Sequence, residues 1–223
     1  MKDGLTRLPA GRHGLPPDLI SANQRDRLID AFARVVVEKG YRATTVHDIT
    51  SLASVSRNVF YEQFGGKDEC FIAAYEVIRA HVGGVMEEAA APFADGPERL
   101  LAALLALLRY LAAEPDLGRL CLIEPLTAGP AMASHHEAAL ESLVARLRKI
   151  AAKGDGSEKT DEVLILGAIA LVSRRINLGE AETLEGLLPE LGHILLSERY
   201  SQNEIAAMVK GAQERGAPPR ASV

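Results

Sequence analysis

The segment from Thr44 to Lys67 carries the side chains best suited to bind a nucleic acid. Arg57 can donate two hydrogen bonds to guanine, Asn58 can pair with adenine, and Val59 can contact a thymine methyl group. Nearby hydroxyl, amide and ammonium groups suit phosphate oxygens. We therefore expect one DNA-facing surface made of nine residues: Thr44, Thr45, Ser56, Arg57, Asn58, Val59, Tyr61, Gln63 and Lys67.

Two short helices joined by a tight turn are expected to position these side chains. Thr45 and Asp48 fit a capping box, in which the threonine hydroxyl accepts from the Asp48 amide and the carboxylate reaches back. Ser54, Val55 and Ser56 form the predicted turn, and Ser56 is a good N-cap for the second helix. The spacing therefore predicts a helix–turn–helix.

The second of these helices, predicted over residues 57–64, has one buried and one exposed face. Phe60 and Phe64 are four residues apart and so share the buried face. The residues that then project outward together are Arg57, Asn58, Tyr61 and Glu62. A structural helical hairpin with a polar outer face is the alternative interpretation.

Longer helices are predicted on both sides of this segment. Between residues 18 and 39 apolar residues recur at helical spacing, and Gly40 directly after Lys39 is a typical C-terminal stop. Another helix is predicted from Lys67 to about Ala90. The first helix is expected to cover the apolar faces of the two short ones.

A set of residues between Gln24 and Ile78 has the types and spacing of a known domain: Ala31, Phe32, Gly40, Tyr41, Thr44, Thr45, Asp48, Ile49, Ala53, Val55, Ser56, Phe60, Tyr61, Phe64 and Lys67. With them, the segment resembles the DNA-binding domain of the TetR family of bacterial transcriptional regulators. The resemblance implies an all-α fold with a three-helix DNA-binding head. It also implies a larger C-terminal domain for ligand binding and dimerisation.

Three residues depart from the pattern of that family. Ser54 stands where the family often has glycine, in a turn where a left-handed backbone costs a non-glycine residue about 1 kcal/mol. Gln63 replaces a frequent histidine, and Cys70 replaces the usual leucine. These differences put the phosphate contacts in question but leave the domain assignment in place.

The charge of the chain is unevenly distributed. Its net charge of −5 is unusual for a nucleic-acid-binding protein. Residues 1–82 nevertheless carry +1 and the remainder −6. Because local positive charge decides phosphate affinity, the overall acidity does not exclude DNA binding.

The C-terminal half is predicted to be a helical bundle. The stretch from Leu100 to Leu111 is apolar on nearly every side, which is typical of a central buried helix. Further helices are predicted over residues 116–124, 132–153, 160–178, 181–198 and 201–210. Helices 160–178 and 181–198 carry more apolar surface than one partner covers, so we expect them to form a homodimer interface; a place in the core of a single chain is the alternative. A two-fold dimer would place two recognition helices one DNA turn apart, on a palindromic site.

A pocket for a small-molecule effector is expected among these helices. Polar groups in apolar surroundings are the candidates to contact it: Arg109, Tyr110, Cys121, Glu124, Thr127, His135, Ser173, Arg175 and Asn177. For Arg175 an internal salt bridge or a dimer contact is the alternative. Adjacent histidines point to different faces of a helix, so His135, His136 and Cys121 do not predict a metal site, and no cofactor is expected.

Four regions are predicted: a disordered basic arm over residues 1–17, a DNA-binding domain over 18–82, a ligand-binding and dimerisation domain over 83–210, and a tail over 211–223. No apolar run is long enough to span a bilayer, and no signal-peptide core is present, so a cytoplasmic protein without a membrane partner is expected. The two cysteines lie in apolar surroundings and are expected to be free thiols.

These features, with the resemblance, predict a ligand-responsive transcriptional regulator: a homodimeric repressor that binds double-stranded DNA. The alternative is a helical protein–protein interaction module, or a co-regulator without specific DNA binding, which Glu62 on the exposed face and the overall acidity favour. An enzyme is not expected, since no nucleophile elbow, phosphate loop, metal-ligand spacing or carboxylate pair on one face is found.

Overall fold

The structure of the protein, a computed structural model, describes residues 17–94, 96–151 and 158–215. Within them it consists of ten α-helices and two 3₁₀ helices without a β-strand, which confirms the all-α fold. In the same ranges no helix is long and apolar enough to cross a membrane. The predicted arm, apart from Pro17, and residues 216–223 of the predicted tail lie outside the described residues.

The helices follow one another along the chain with short connections. The α-helices are α1 Pro17–Ala43, α2 Val46–Ala53, α3 Arg57–Gln63, α4 Lys67–Ala90, α5 Pro97–Ala113, α6 Pro115–Leu122, α7 Pro130–Ala151, α8 Glu158–Asn177, α9 Leu188–Leu196 and α10 Gln202–Arg215. The 3₁₀ helices are Glu124–Thr127 and Ala181–Leu187.

Two predicted helices differ from the observed ones. The single helix predicted over 181–198 is wrong, because a 3₁₀ helix precedes α9 there. Pro189 lies in the first turn of α9. A proline has no amide hydrogen to donate, and its ring clashes with the preceding turn, so a continuous α-helix cannot pass through this position. The last helix continues past Lys210, its predicted end, to Arg215, and Ala212 in this extension is buried.

The core of the N-terminal part is built around four fully buried phenylalanines: Phe32, Phe60, Phe64 and Phe71. Tyr41 stacks on Phe71 with 5.1 Å between ring centroids. Cys70 is buried in the same core, and that burial raises the pKa of its thiol to about 12, so it is protonated and unreactive. Leu120 of α6 and Met132 of α7 complete this core, so it is continuous with the bundle that follows.

The C-terminal bundle is organised around α5, as its apolar sequence predicted. Leu101, Leu105 and Leu108 of α5 are fully or almost fully buried. The helix packs against α4, α7, α9, α10 and the 3₁₀ helix Ala181–Leu187. Since α4 also contributes to the phenylalanine core, it connects the two parts of the molecule.

The turn between α2 and α3 has a left-handed residue, as its sequence predicted. Ser54 has φ 54° and ψ 47°, and it is the one non-glycine residue with positive φ in the described part of the chain. Its amide donates to the carbonyl oxygens of Thr50 and Ser51, which ends α2. In this left-handed conformation the Cβ atom of Ser54 is crowded by its own backbone. Glycine has no Cβ atom and adopts the conformation without steric cost.

Replacing Ser54 with glycine is expected to raise the free energy of unfolding by about 0.5–1 kcal/mol, because the left-handed conformation then costs nothing. Urea denaturation of the purified variant measures this change. Ser51→Gly is the matched control: it lies within α2, where glycine should instead lower stability by about 0.5 kcal/mol. Destabilisation of similar size by both substitutions would show that Ser54 is not strained.

Candidate nucleic-acid interface and internal cavity

The predicted capping box at the start of α2 is present. The Thr45 amide donates to Asp48 Oδ2 at 2.8 Å, and the Asp48 amide donates to Thr45 Oγ1 at 3.2 Å. Lys39 Nζ lies 2.6 Å from the same Asp48 oxygen. Hydrogen bonds from Lys39 and Thr45 hold the pKa of Asp48 well below its usual value, so the carboxylate stays ionised.

The start of α3 and its orientation also follow from local sequence. Ser56 Oγ accepts from the Val59 amide at 3.3 Å and caps the helix. Phe60 and Phe64 are buried beneath it. The exposed residues at the start and on the outer face of α3 are Ser56, Arg57, Asn58, Tyr61 and Glu62, while Val59 and Gln63 are half-buried. The predicted recognition face is therefore presented to solvent as one surface.

Two arginines of α1 hold α2 and α3 in place. Arg25 donates to the Gln63 carbonyl oxygen at 2.8 Å, and its guanidinium lies 4.3 Å from the centroid of the Phe64 ring. Arg27 donates to the carbonyl oxygens of Ala53 and of the residue after it. Both cations thus stabilise the C-terminal ends of the short helices, where the helix dipole favours positive charge.

Arg57 differs from the other cations of this part of the molecule. From residue 17 to 82, within the described chain, the remaining lysines and arginines each have an intramolecular partner: Arg25, Arg27, Arg34, Lys39, Arg42, Lys67 and Arg79. Arg57 has none there and is exposed on the first turn of α3. Its guanidinium is available to an external acceptor.

Thr44 and Lys67, which the sequence assigned to the DNA-facing surface, both make hydrogen bonds within the domain. Thr44 is buried, and its hydroxyl donates to the Gly40 carbonyl oxygen at 2.8 Å. Lys67 Nζ donates to the carbonyl oxygens of Tyr41 and Thr44, both at 2.9 Å, and lies 4.1 Å from the centroid of the Tyr41 ring. Its burial lowers the pKa of Lys67.

These contacts have a cause in the backbone of α1. Gly40, with φ 78° and ψ 159°, interrupts the helical hydrogen bonding shortly before α2 begins. The polar backbone groups near this break need partners from elsewhere, since unpaired buried groups are costly. Lys67 supplies donors to the carbonyl oxygens, and Glu124 supplies an acceptor to the Tyr41 amide at 2.9 Å.

Glu124 makes this contact from the other half of the molecule. It belongs to the 3₁₀ helix Glu124–Thr127, and its side chain is buried. Arg42 Nε donates to the Thr127 carbonyl oxygen at 3.3 Å beside it. The end of α1 is therefore attached to the 3₁₀ helix that directly follows α6.

An internal cavity of about 230 Å³ lies within the C-terminal bundle. Helices α4 to α9 all contribute to its wall, and α4 lines it from Tyr75 to Ala90. At 1.5 Å per residue, this stretch of α4 is about 22 Å long. Most wall residues are leucine, isoleucine, valine or alanine, so the cavity suits an elongated apolar molecule.

The structure places two of the predicted ligand contacts in the cavity wall, Tyr110 and Cys121. Burial raises the pKa of the Cys121 thiol to about 12, so it is a neutral group there. The polar wall residues that the sequence did not single out are Tyr75, Arg79, Glu87, Arg99, His136 and Ser142. Tyr75 lies among the apolar residues of α4, and His136 stands out in the sequence only as a possible metal ligand.

The other predicted ligand contacts are engaged elsewhere. Arg109 pairs with Glu185 at 2.7 Å, and Arg175 pairs with Glu180 at 3.1 Å, the internal salt bridge that was the alternative for it. Ser173 Oγ donates to a carbonyl oxygen of its own helix, and Asn177 is exposed at the end of α8. Glu124 and Thr127 lie at the contact with α1, and His135 is bonded to Glu76.

Comparison with known proteins identifies the N-terminal domain. Residues 28–74 match the family described as bacterial regulatory proteins, tetR family. Over 167 residues the chain is 25% identical to the HTH-type transcriptional activator FasR of Mycolicibacterium smegmatis, covering 73% of this chain and 75% of FasR. Residues 28–74 are thus a DNA-binding domain of the TetR type, and the chain is a DNA-binding transcriptional regulator. The relatives named here are regulators and not enzymes.

Solved structures show that the similarity in fold extends beyond the N-terminal domain, over 78–85% of the chain. The transcriptional regulator FadR from Bacillus subtilis, solved in complex with stearoyl-CoA, matches with a TM-score of 0.67 at 20% identity, covering 78% of this chain and 99% of FadR. The fatty acid degradation regulator FadR from Bacillus halodurans matches with a TM-score of 0.67 at 17% identity, covering 85% and 100%. At these identities the likeness establishes the fold alone.

Lys67→Met is expected to lower the free energy of unfolding by about 1–3 kcal/mol, because the carbonyl oxygens of Tyr41 and Thr44 lose their donor. Urea denaturation measures the change. Lys210→Met is the control, since Lys210 is exposed and makes only a surface pair with Glu214, so its loss should cost about 0.5 kcal/mol or less. A Lys67→Met protein that unfolds like the wild type but binds DNA weakly would instead support the phosphate contact predicted from sequence.

Proposed function

We propose that this protein is a homodimeric regulator that binds a palindromic DNA operator. When an apolar effector enters the cavity, the affinity of the protein for this operator falls or rises. The observation that carries the DNA-binding part is Arg57, a cation without an intramolecular partner among the described residues, on the exposed face of α3. The alternative of a protein–protein module without specific DNA binding leaves this unpaired cation without a role.

The exposed face of α3 divides into base and phosphate contacts. Arg57 and Asn58 carry the bidentate groups that distinguish guanine and adenine in the major groove, and Val59 meets a thymine methyl group. The hydroxyls of Thr45, Ser56 and Tyr61 and the amide of Gln63 serve phosphate oxygens. Thr44 and Lys67 act indirectly, since they fix the segment from which α2 begins.

Dimerisation is proposed through α8 and α9. One stripe of α8 is exposed although it is mainly apolar or small: Val163, Leu166, Gly167, Ala170 and Arg174. Val163 is 67% exposed, which is unusual for a valine within a helix that also lines a packed bundle. A second copy related by a two-fold axis covers such a stripe with the same stripe of its own. Two α3 helices then face DNA one helical turn apart.

The effector is proposed to be a long acyl chain or a molecule of similar shape. An extended chain advances roughly 1.2 Å per bond, so about 22 Å of lining accommodates roughly 18 bonds. FadR from Bacillus subtilis, which shares the fold, was solved with stearoyl-CoA. The apolar wall and its length favour the same class of ligand in this chain.

Helix α6 is proposed to transmit occupancy of the cavity to the DNA-binding domain. Its residues Leu117, Cys121 and Leu122 line the cavity, whereas Leu120 on the same helix is buried in the phenylalanine core. Just after this helix, the Glu124 carboxylate accepts a hydrogen bond from the Tyr41 amide and so connects α6 to the end of α1. A ligand that displaces α6 therefore moves the segment that positions α2, and it changes DNA affinity to the extent that it binds the two states differently.

Repression stays a prediction, because the relative FasR is an activator. An operator that overlaps a promoter gives repression, and one placed upstream of it gives activation, with the same protein–DNA contacts. In vitro transcription from the operator in its natural position decides between the two.

The operator hypothesis is tested by selecting DNA from a random pool with the purified protein. A palindrome with half-sites one turn apart, bound by two chains, is expected. Arg57→Ala should lower the discrimination between this operator and random DNA by about 1–3 kcal/mol, because a bidentate base contact is lost. Arg215→Ala, which removes a cation from α10, is the control and should leave discrimination unchanged. Failure to enrich any sequence would contradict specific binding.

The coupling hypothesis is tested at Glu124, with stearoyl-CoA as the probe effector. Glu124→Ala is expected to reduce the ratio of operator affinities without and with the probe to near one, because the Tyr41 amide loses its acceptor. Glu124→Gln retains an oxygen that accepts from that amide and should keep most of the ratio. Fluorescence anisotropy of labelled operator measures both. If Glu124→Ala shows the full wild-type ratio, coupling takes another route.

A further inference from the structure

One end of the cavity contains a buried pair of hydrogen-bonding side chains. The hydroxyl of Tyr75 on α4 lies 2.9 Å from Nδ1 of His136 on α7. Tyr75 is 4% exposed and His136 is 5% exposed, and both contribute to the cavity wall. Their rings also meet edge to face, with centroids 5.7 Å apart. The wall between this pair and the far end of α4 is mostly aliphatic.

The protonation of the pair follows from counting donors and acceptors. The Tyr75 hydroxyl has no acceptor other than His136 Nδ1 within the described chain. If the hydroxyl donates to Nδ1, the imidazole carries its hydrogen on Nε2; the reverse arrangement leaves both the hydroxyl hydrogen and the Nε2 lone pair unsatisfied. Burial, helped by the neighbouring His135, lowers the pKa of His136 and keeps the ring neutral.

A second layer of charged groups holds this pair in position. Glu76 Oε1 lies 2.6 Å from Nε2 of His135, and Glu76 Oε2 lies 2.9 Å from Arg79. The contact with His135 attaches α7 to α4 beside Tyr75, whose ring also meets His135 edge to face, and the contact with Arg79 holds the Glu76 carboxylate in place. The opposite end of the cavity is closed by Arg99, which donates to the carbonyl oxygens of Ala90 and Phe93.

We propose that Nε2–H of His136 is the recognition group for the carbonyl oxygen of an acyl effector, with the Tyr75 hydroxyl fixing its orientation. This inference rests on the proposed function, in which the cavity takes a long apolar ligand. His136 lies in the cavity wall, and within the described chain its hydrogen bond is made through Nδ1, which leaves Nε2–H to a ligand. An acyl oxygen satisfies that N–H, whereas a plain hydrocarbon does not.

The position of the pair also sets the direction in which the ligand lies. Tyr75 is near the DNA-binding end of α4, about two turns from the start of that helix at Lys67. The carbonyl group is therefore held close to α6 and to the contact between Glu124 and Tyr41. The hydrocarbon chain extends along α4 toward Ala90. The polar end of the effector thus lies next to the proposed coupling route.

The ligand side of the test compares two probes that differ only in the acyl carbonyl oxygen, which two hydrogens replace in the second probe. Stearoyl-CoA has the acyl carbonyl oxygen, and the thioether S-octadecyl-CoA lacks it. Isothermal titration calorimetry of the wild-type protein should give about tenfold tighter binding of the thioester, the usual contribution of one such hydrogen bond. Stearic acid is the third probe, and binding comparable to the thioester would show that the acyl group is recognised without coenzyme A.

The protein side uses two conservative substitutions of the same residue. His136→Gln retains an N–H donor near the position of Nε2, and His136→Asn retains only a polar group near Nδ1 to meet the Tyr75 hydroxyl. His136→Asn should lose the preference for the thioester, and His136→Gln should keep most of it. His135→Asn is the matched control on the adjacent, more exposed residue, and it should behave like the wild type.

Each result leads to a distinct conclusion. Equal binding of the thioester and the thioether by the wild-type protein would overturn this inference while leaving an acyl effector intact. A preference that survives in His136→Asn would overturn the role of His136. If none of the three probes binds the wild-type protein, the acyl effector of the proposed function fails as well. The wild-type comparison stands even if His136→Asn does not fold.

Discussion

The break in α1 at Gly40 is the constraint on which much of this structure depends. A helix that stops there exposes polar backbone groups in a crowded interior, and these groups must find partners. The partners are a lysine from α4 and a glutamate from beyond α6, which meet at Tyr41. Because the glutamate comes from the C-terminal bundle, the requirement for hydrogen bonds at one helix end joins two parts of the molecule.

Side-chain packing also connects the cavity wall to the DNA-binding domain. Helix α6 has one face on the cavity and another in the phenylalanine core, so a change in cavity volume has a direct mechanical path to the core. Packed interiors respond to added volume by moving whole elements, since their side chains leave little free space. The short 3₁₀ helix after α6 then connects this path to the backbone just before the helix–turn–helix.

What the sequence predicted well is short in range. The capping box at Thr45, the N-cap at Ser56 and the left-handed Ser54 each depend on residues at most four positions away, and all three are present. The apolar character of α5 likewise reflects one helix alone. Local chemistry of this kind can be inferred from residue types and spacing without knowledge of the tertiary structure.

What the sequence did not predict involves distant partners. Glu124 and Tyr41 are 83 residues apart, and Tyr75 and His136 are 61 apart. Each of these side chains looks ordinary in its own helix, and nothing near Lys67 in the sequence marks the carbonyl oxygens that it binds. Arg109 and Arg175 were candidate ligand contacts for the same reason, since their carboxylate partners lie on other turns or helices.

Most cations between residues 17 and 82 are paired within the fold, and this has a consequence for how the protein finds its DNA site. Non-specific attraction to DNA grows with the number of positive charges free to displace counterions. In the described part of this domain only Arg57 lacks an intramolecular partner, so we expect weak binding to random DNA. A genome offers a vast excess of random sites that compete for any regulator. A protein that pairs its cations internally therefore binds less to random genomic sites, and more of it remains free to bind its operator.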